Sequence, residues 1–161
     1  MKAIVAVDEK WGIGKNNDLL FSIPEDMKFF RNTTLGKVVV MGSNTLKSFP
    51  NGNPLKNRIN VVLSSKIERD DCIVVKSLEA LLEEIKKYPA SEVFVIGGAM
   101  LYKTLLPYCD EVLVTKIMAD GNAEVFFPNL DEMNEWELNE QSQEIESNGK
   151  KIIFTKYIKK R

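Results

Sequence analysis

The chain of 161 residues contains no histidine. That absence excludes a Ser-His-Asp or Cys-His hydrolase and any zinc site built on imidazole. Catalysis, if there is any, must rest on carboxylates, hydroxyls or a bound cofactor. Cysteine is scarce: only Cys72 and Cys109 occur, without metal-ligand spacing, and both read as buried or half-buried thiols of a cytoplasmic protein. No apolar run approaches membrane-spanning length, and the one within residues 1–8 is too short for a secretory signal. Neither sign of charge prevails. With 22 basic and 23 acidic side chains the net charge is -1, which argues against a nucleic-acid binder working through bulk electrostatics. The terminal Lys159-Lys160-Arg161 reads as a solvated tail. A Walker lysine is missing, and Gly12-Ile13-Gly14-Lys15-Asn16-Asn17 lacks the third glycine of a Rossmann fingerprint. Internal repeats, linkers and low-complexity segments are also absent.

What remains has the composition of a globular domain, with 44% hydrophobic and 28% charged residues, and the length suits one domain over 1–161. Strand-like apolar runs at 3–7, 38–41, 59–63, 72–75, 93–96 and 112–117 alternate with helical patterns, the signature of an α/β domain. Val38-Val39-Val40-Met41 and Val93-Phe94-Val95-Ile96 are apolar throughout, as parallel strands covered on both faces should be. Helices are expected over 23–33, opened by a Ser22–Glu25 capping box, over 78–88, opened by Ser77, and over 98–106. Residues 135–146 and 151–158 read as two strands joined across Asn148-Gly149. The expected fold is a single α/β domain, a mostly parallel central sheet flanked by helices, with a C-terminal antiparallel hairpin.

Four features carry chemistry. Glycine marks two strand-to-helix junctions, Val40-Met41-Gly42-Ser43-Asn44-Thr45-Leu46 and Val95-Ile96-Gly97-Gly98-Ala99-Met100. There a phosphate can approach the backbone while free N–H groups point at it. One such junction is explained by a tight turn; two side by side would cradle a pyrophosphate. The second feature is Asp26, set between Ile23 and Phe30 on its helix. Burial on that apolar side would raise its pKa and suit proton handling or an amidine-like ligand. An exposed first-turn acid favoured by the helix dipole fits the pattern equally well. The third is the 8–21 loop, long enough to read as a lid, whose Trp11, Leu19, Leu20 and Phe21 must pack on something. The fourth is Ser64-Ser65-Lys66 with Lys76, which either hold a ribose phosphate or are plain turn residues.

In their order along essentially the whole chain, these segments resemble dihydrofolate reductases of the bacterial chromosomal type. The carrying motifs are Ile4-Val5-Ala6-Val7-Asp8, Gly12-Ile13-Gly14, Ile23-Pro24-Glu25-Asp26-Met27-Lys28-Phe29-Phe30, Val40-Met41-Gly42, Val62-Leu63-Ser64-Ser65, Val95-Ile96-Gly97-Gly98 and Val114-Thr115-Lys116-Ile117. The resemblance implies NADPH-dependent reduction of 7,8-dihydrofolate to tetrahydrofolate, with hydride to C6 and a proton to N5. That is a step of one-carbon metabolism supplying thymidylate and purine synthesis. It also implies antifolate inhibitors as ligands, a monomer, and neither metal, nucleic acid nor membrane.

By the same resemblance, Asp26 would accept hydrogen bonds from pterin N3 and the 2-amino group, backed by Thr115, with Phe21 beside them in the lid. The carbonyls of Ile4 and Ile96 would flank that end of the pterin. Met27, Phe30, Arg31, Phe49 and Leu55 would line the substrate pocket, and Arg58 would pair with the glutamate α-carboxylate. Ala6, Ile13, Gly14, Asp18 and Leu19 would lie along the nicotinamide. Gly42, Ser43, Asn44 and Thr45, with Gly97, Gly98, Ala99, Met100, Leu101 and Tyr102, would hold the pyrophosphate. Leu63, Ser64, Ser65 and Lys76 would take the adenosine ribose phosphate.

Three departures matter. Leu20-Phe21 stands where bacterial relatives usually have proline then tryptophan, so Phe21 has no indole N–H to hold a water. Ser43 and Met100 stand where arginines are often found near the cofactor, which weakens the expected preference for NADPH over NADH. Ala123-Glu124-Val125 replaces the usual Gly-Asp-Thr of a loop that meets the lid. A riboflavin-pathway reductase of the same fold is the nearest rival, and Asp26 with Arg58 favours folate over its sugar-phosphate substrate. A binding module that has lost turnover is the other.

Overall fold

A computed structural model describes residues 1–16 and 18–160, so Asn17 of the 12–17 segment and Arg161 of the basic tail lie outside the described residues. The apolar runs become strands β1 (Lys2–Val7), β3 (Val38–Gly42), β4 (Ile59–Leu63), β5 (Ile73–Val75), β6 (Val93–Gly97) and β7 (Glu111–Ile117). Around them lie β2 (Gly12–Gly14), β8 (Val125–Phe126), β9 (Trp136–Gln141), β10 (Ile145–Ser147) and β11 (Lys150–Lys159). The helices are α1 (Pro24–Thr34), α2 (Ser43–Ser48), α3 (Leu78–Ile85) and α4 (Ala99–Leu105). The main sheet runs β10-β11-β7-β1-β6-β3-β4-β5, parallel from β7 to β5, with β11 antiparallel to β7.

Strand alternation sorts the apolar run of β3 onto two faces. Val38 and Val40 join Leu81, Leu101 and Leu105 in the core under α3 and α4. Val39 and Met41 join Leu46 of α2 on the other face. A third cluster, Ile23 with Ile117 and Ile152, lies beside the start of α1.

The expected hairpin forms across Asn148-Gly149, with both residues at positive φ (50° and 76°) and Ser147 opposite Lys150. Its first arm is not one strand but two. Ser142 interrupts it: the Ser142 Oγ accepts from Phe154 N at 2.9 Å, replacing a ladder bond. The helix over 78–88 is capped as expected, Ser77 accepting from Ala80 N, but α3 ends at Ile85 and Lys87 and Tyr88 continue as turns toward Pro89. The Ser22–Glu25 capping box does not form. Ile23 is the N-cap of α1 and has no side-chain cap; the hairpin supplies bonds instead, Ser147 Oγ accepting from Glu25 N (3.3 Å) and Asn148 Nδ2 donating to Ser22 O (2.8 Å).

Candidate active site

Thr115 in β7 lies opposite Ala6 of β1 and Phe154 of β11, so its side chain rises from the middle of a three-strand step. Above it, the first turn of α1 presents Asp26. The Thr115 hydroxyl donates to Asp26 Oδ1 at 2.6 Å. Asp26 is half-buried, not an exposed first-turn acid. Burial pushes its pKa above the usual carboxylate range, and the Thr115 hydrogen bond pulls it back in part. Ala6, Ile13, Leu19, Phe21 and Met27 wall the cleft in front of the carboxylate. A wider depression bordered by Trp11, Lys116 and Asp131 does not reach Asp26.

The expectation that four large apolar residues of the 8–21 loop must pack is corrected at Leu19, which is 67% exposed at the cleft mouth. Trp11 is buried, its ring 6.2 Å from Phe127 and 5.9 Å from Tyr157. Leu20 packs on the bare α-carbon of Gly121, where a Cβ would come within 2.8 Å of it. Phe21 joins the Ile23–Ile117–Ile152 cluster under the Lys150 ammonium. The loop is not a bare connection either, since β2 pairs with β8 and Glu124 Oε1 accepts from Asn16 N at 2.8 Å. Asp18 closes a small turn with Lys15, and its Oδ1 accepts from Leu19 N.

In β1, the Ile4 carbonyl accepts from the Tyr102 hydroxyl at 2.7 Å, which leaves that oxygen one further lone pair. Burial, reinforced by the Asp26 charge, keeps the Tyr102 phenol protonated. Val95 pairs with Val40 and Gly97 with Met41, so Ile96 is the extra residue of a bulge, set apart from the ladder.

Further out, Phe49, Leu55 and Ile96 pack against Val39, Met41, Leu46 and Val62. The Arg58 guanidinium lies 6.0 Å from the Phe30 ring, and its Nε is buried with no hydrogen-bond partner among the described residues. Burial lowers the Arg58 pKa, and the like charge of Arg31, itself exposed, adds to that.

Because β3 and β6 are neighbours, the two glycine junctions meet. A Cβ on Gly97 would lie 3.2 Å from Thr45 Oγ1, one on Gly98 3.7 Å from it, and one on Gly42 would meet nothing within 4 Å. The Gly97–Gly98 peptide is cis. Gly42 thus leaves its side-chain space open, whereas Thr45 closes on Gly97. Of the residues expected around the junctions, Ser43 and Ala99 are half-buried and Met100 is 83% exposed. Leu101 and Tyr102 are buried in the core, and a Cβ on Gly97 would lie 3.6 Å from Tyr102 Cε2 and 3.7 Å from its hydroxyl. Asn44 is exposed on α2. Leu63 pairs with Val75, bringing Ser64 and Ser65 beside Lys76 at the ends of β4 and β5. Lys76 Nζ, however, already donates to Ile67 O at 2.6 Å.

Two residues were not singled out from the sequence. Asp8 is 3% exposed and ties two loops together, Oδ1 accepting from Lys10 N (2.9 Å) and Gly12 N (2.7 Å) and Oδ2 from Gly121 N (3.0 Å). Asn60 is buried, and its side chain bonds the backbone of Leu55 and Arg58. The available signal was a lone polar residue at the end of, or inside, an apolar strand run.

The family model described as dihydrofolate reductase matches residues 1–160. The chain is 40% identical over 161 residues to a dihydrofolate reductase of Bacillus subtilis (strain 168), covering 98% of this chain and 93% of that one. It is 35% identical over 136 residues to one of Haemophilus influenzae, covering 84% and 82%. A solved dihydrofolate reductase from Enterococcus faecalis, complexed with NADP(H) and RAB-propyl, superposes with a TM-score of 0.88 at 30% identity, over 99% of this chain and 96% of that one.

Proposed function

The chain belongs to the dihydrofolate reductase family, its reaction is NADPH-dependent reduction of 7,8-dihydrofolate, and we propose how its residues divide that work. The observation that carries the division is the Thr115–Asp26 pair, which sets a hydrogen-bonded carboxylate in the wall of a mostly apolar cleft. Asp26 accepts hydrogen bonds from N3 and the 2-amino group of the pterin, an amidine-like edge that matches the two oxygens of a carboxylate. Thr115 fixes the carboxylate rotamer and moderates its basicity. The Ile4 and Ile96 carbonyls accept from the same end of the ring. Phe21, Met27 and Phe30 cover it, with Phe49 and Leu55 along the aminobenzoyl group. Arg58, with Arg31 nearby, takes the glutamate α-carboxylate.

The open side-chain space at Gly42, beside the Gly97-Gly98 junction, fits a pyrophosphate, and Ser64, Ser65 and the neighbouring lysines fit a ribose phosphate. NADPH, when bound there, supplies the hydride that reaches C6. The chain's own part is to hold the proton for N5. With its raised pKa, Asp26 retains a proton to higher pH than an ordinary carboxyl; once that proton has passed on through a bridging water, the carboxylate left behind accepts from the pterin edge with both oxygens. Asp8, the other carboxylate at the cleft wall, is engaged by three backbone N–H groups. Closure of the 8–21 loop, with Ile13, Gly14, Asp18 and Leu19 over the nicotinamide, excludes bulk water. Every group named comes from one chain, so a monomer suffices, and two unpaired cysteines suit a cytoplasmic enzyme.

The test is loss of NADPH absorbance on mixing the protein with dihydrofolate, and its suppression by a diaminopyrimidine antifolate. No loss of absorbance would withdraw this reading.

A further inference from the structure

Strand β4 reads Ile59-Asn60-Val61-Val62-Leu63, and Asn60 is its one polar residue. It is 6% exposed, so each polar atom of its amide needs a partner inside the fold. All the partners belong to one short stretch of chain. Asn60 Oδ1 accepts from Leu55 N at 3.0 Å, while Nδ2 donates to Leu55 O at 2.9 Å and to Arg58 O at 3.1 Å. The first two bonds reproduce the exchange between paired residues of an antiparallel ladder, supplied here by a side chain. The third grips the carbonyl of Arg58. From the outer side, Asn57 O accepts from Gly36 N at 2.8 Å, so the 55–58 turn is held on two flanks.

This turn carries Leu55 at one end and Arg58 at the other. Arg58 has a buried Nε with no partner among the described residues, and its guanidinium rests over the Phe30 ring. An arginine left to its own rotamers must be ordered when an anion binds; one whose backbone is fixed and whose ring contact is made has less freedom to lose. An unmatched buried donor also gains most when an acceptor arrives.

We infer that Asn60 is a positioning residue for the carboxylate end of the substrate, acting through Arg58. It fixes the 55–58 turn so that the guanidinium is ordered before the glutamate α-carboxylate arrives. The inference rests on the dihydrofolate reading above, and it assigns Asn60 no part in hydride or proton transfer.

The experiment compares Asn60→Ala with wild type on two substrates, 7,8-dihydrofolate and 6-methyl-7,8-dihydropterin, which has the reducible ring but no glutamate. In the variant, KM for dihydrofolate should rise about tenfold, as expected for a lost preorganised anchor, with kcat within about twofold. Both parameters for the dihydropterin should stay within about twofold of wild type. In an Arg58→Leu background, Asn60→Ala should add nothing further to the dihydrofolate KM, because the two act as one unit. Equal losses on both substrates, no loss on either, or additive effects of the two substitutions would overturn the inference. If Asn60→Ala does not fold, Asn60→Ser, which keeps one hydroxyl for the turn, is measured the same way. Failure of both to fold assigns Asn60 to global stability and overturns it too. A wild-type protein that turns over neither substrate removes the underlying reading, a result distinct from any change seen only in the variant.

Discussion

Thr115 Oγ1 sits 2.6 Å from Asp26 Oδ1, across 89 residues of chain, and toward an ionised carboxylate the hydroxyl can only donate. That bond opposes the effect of burial on Asp26. Thr115→Val removes the donor at nearly constant volume, so the charged form loses support and the pKa climbs further. The pH profile of kcat should therefore move to higher pH. An unmoved profile would detach Thr115 from the titration of Asp26.

Asp26 also lowers the stability of the fold. Its folded-state pKa lies above that of the unfolded chain, so its contribution is fully present below the unfolded carboxylate value and is lost as pH rises through the folded one. Asn is neutral throughout and can still accept from Thr115. Asp26→Asn should therefore melt higher than wild type at pH 7.5, by about 2–4 °C for each kcal/mol regained. The gap should close toward pH 3. Thermal unfolding at both pH values checks this, and a variant less stable at pH 7.5 would contradict it.

Arg58→Leu should weaken substrate binding far more than it slows chemistry. Truncating one partner of a desolvated charge pair typically costs ~2–5 kcal/mol. Arg58 is only half-buried, so the lower end applies. The check is KM against kcat for dihydrofolate. Equal affinity of the wild-type protein for folates with and without the glutamate would remove Arg58 from the tail site.

Cofactor discrimination should be modest and salt-sensitive. Ser43 and Met100 offer no positive charge, and one of the three Lys76 donors is already committed to the Ile67 carbonyl. Exposed lysine contacts are screened by salt. The ratio of kcat/KM for NADPH over NADH should fall as salt rises. Ser43→Arg should raise it, by about tenfold for each ~1.4 kcal/mol gained. An unchanged ratio would place Ser43 away from the ribose phosphate.

The sheet was legible because its strands are written locally: Val38-Val39-Val40-Met41 has no polar residue, and both of its faces are covered. The glycine junctions were legible because each, Gly42 or the Gly97-Gly98 pair, directly follows an apolar strand run and directly precedes a helix. Asp26 was ambiguous since its burial depends on Thr115, which only the parallel pairing of β1 and β7 brings beneath it. The start of α1 was misread for the same reason, its bonds coming from Ser147 and Asn148 in the hairpin. Lys76 looked free because nothing local announces a carbonyl nine residues away as its acceptor.

The most direct measurement is the pH dependence of the single-turnover hydride-transfer rate to dihydrofolate, in wild type and in Asp26→Asn. The reaction consumes a proton, so the wild-type rate should fall as pH rises through a pKa above the ordinary carboxylate range. Loss of a positioned proton donor typically costs ~10²–10⁴-fold. The variant should be slower by that order near neutral pH and lack the wild-type inflection. A variant that keeps both the wild-type rate and the wild-type inflection would contradict the assignment of the proton to Asp26.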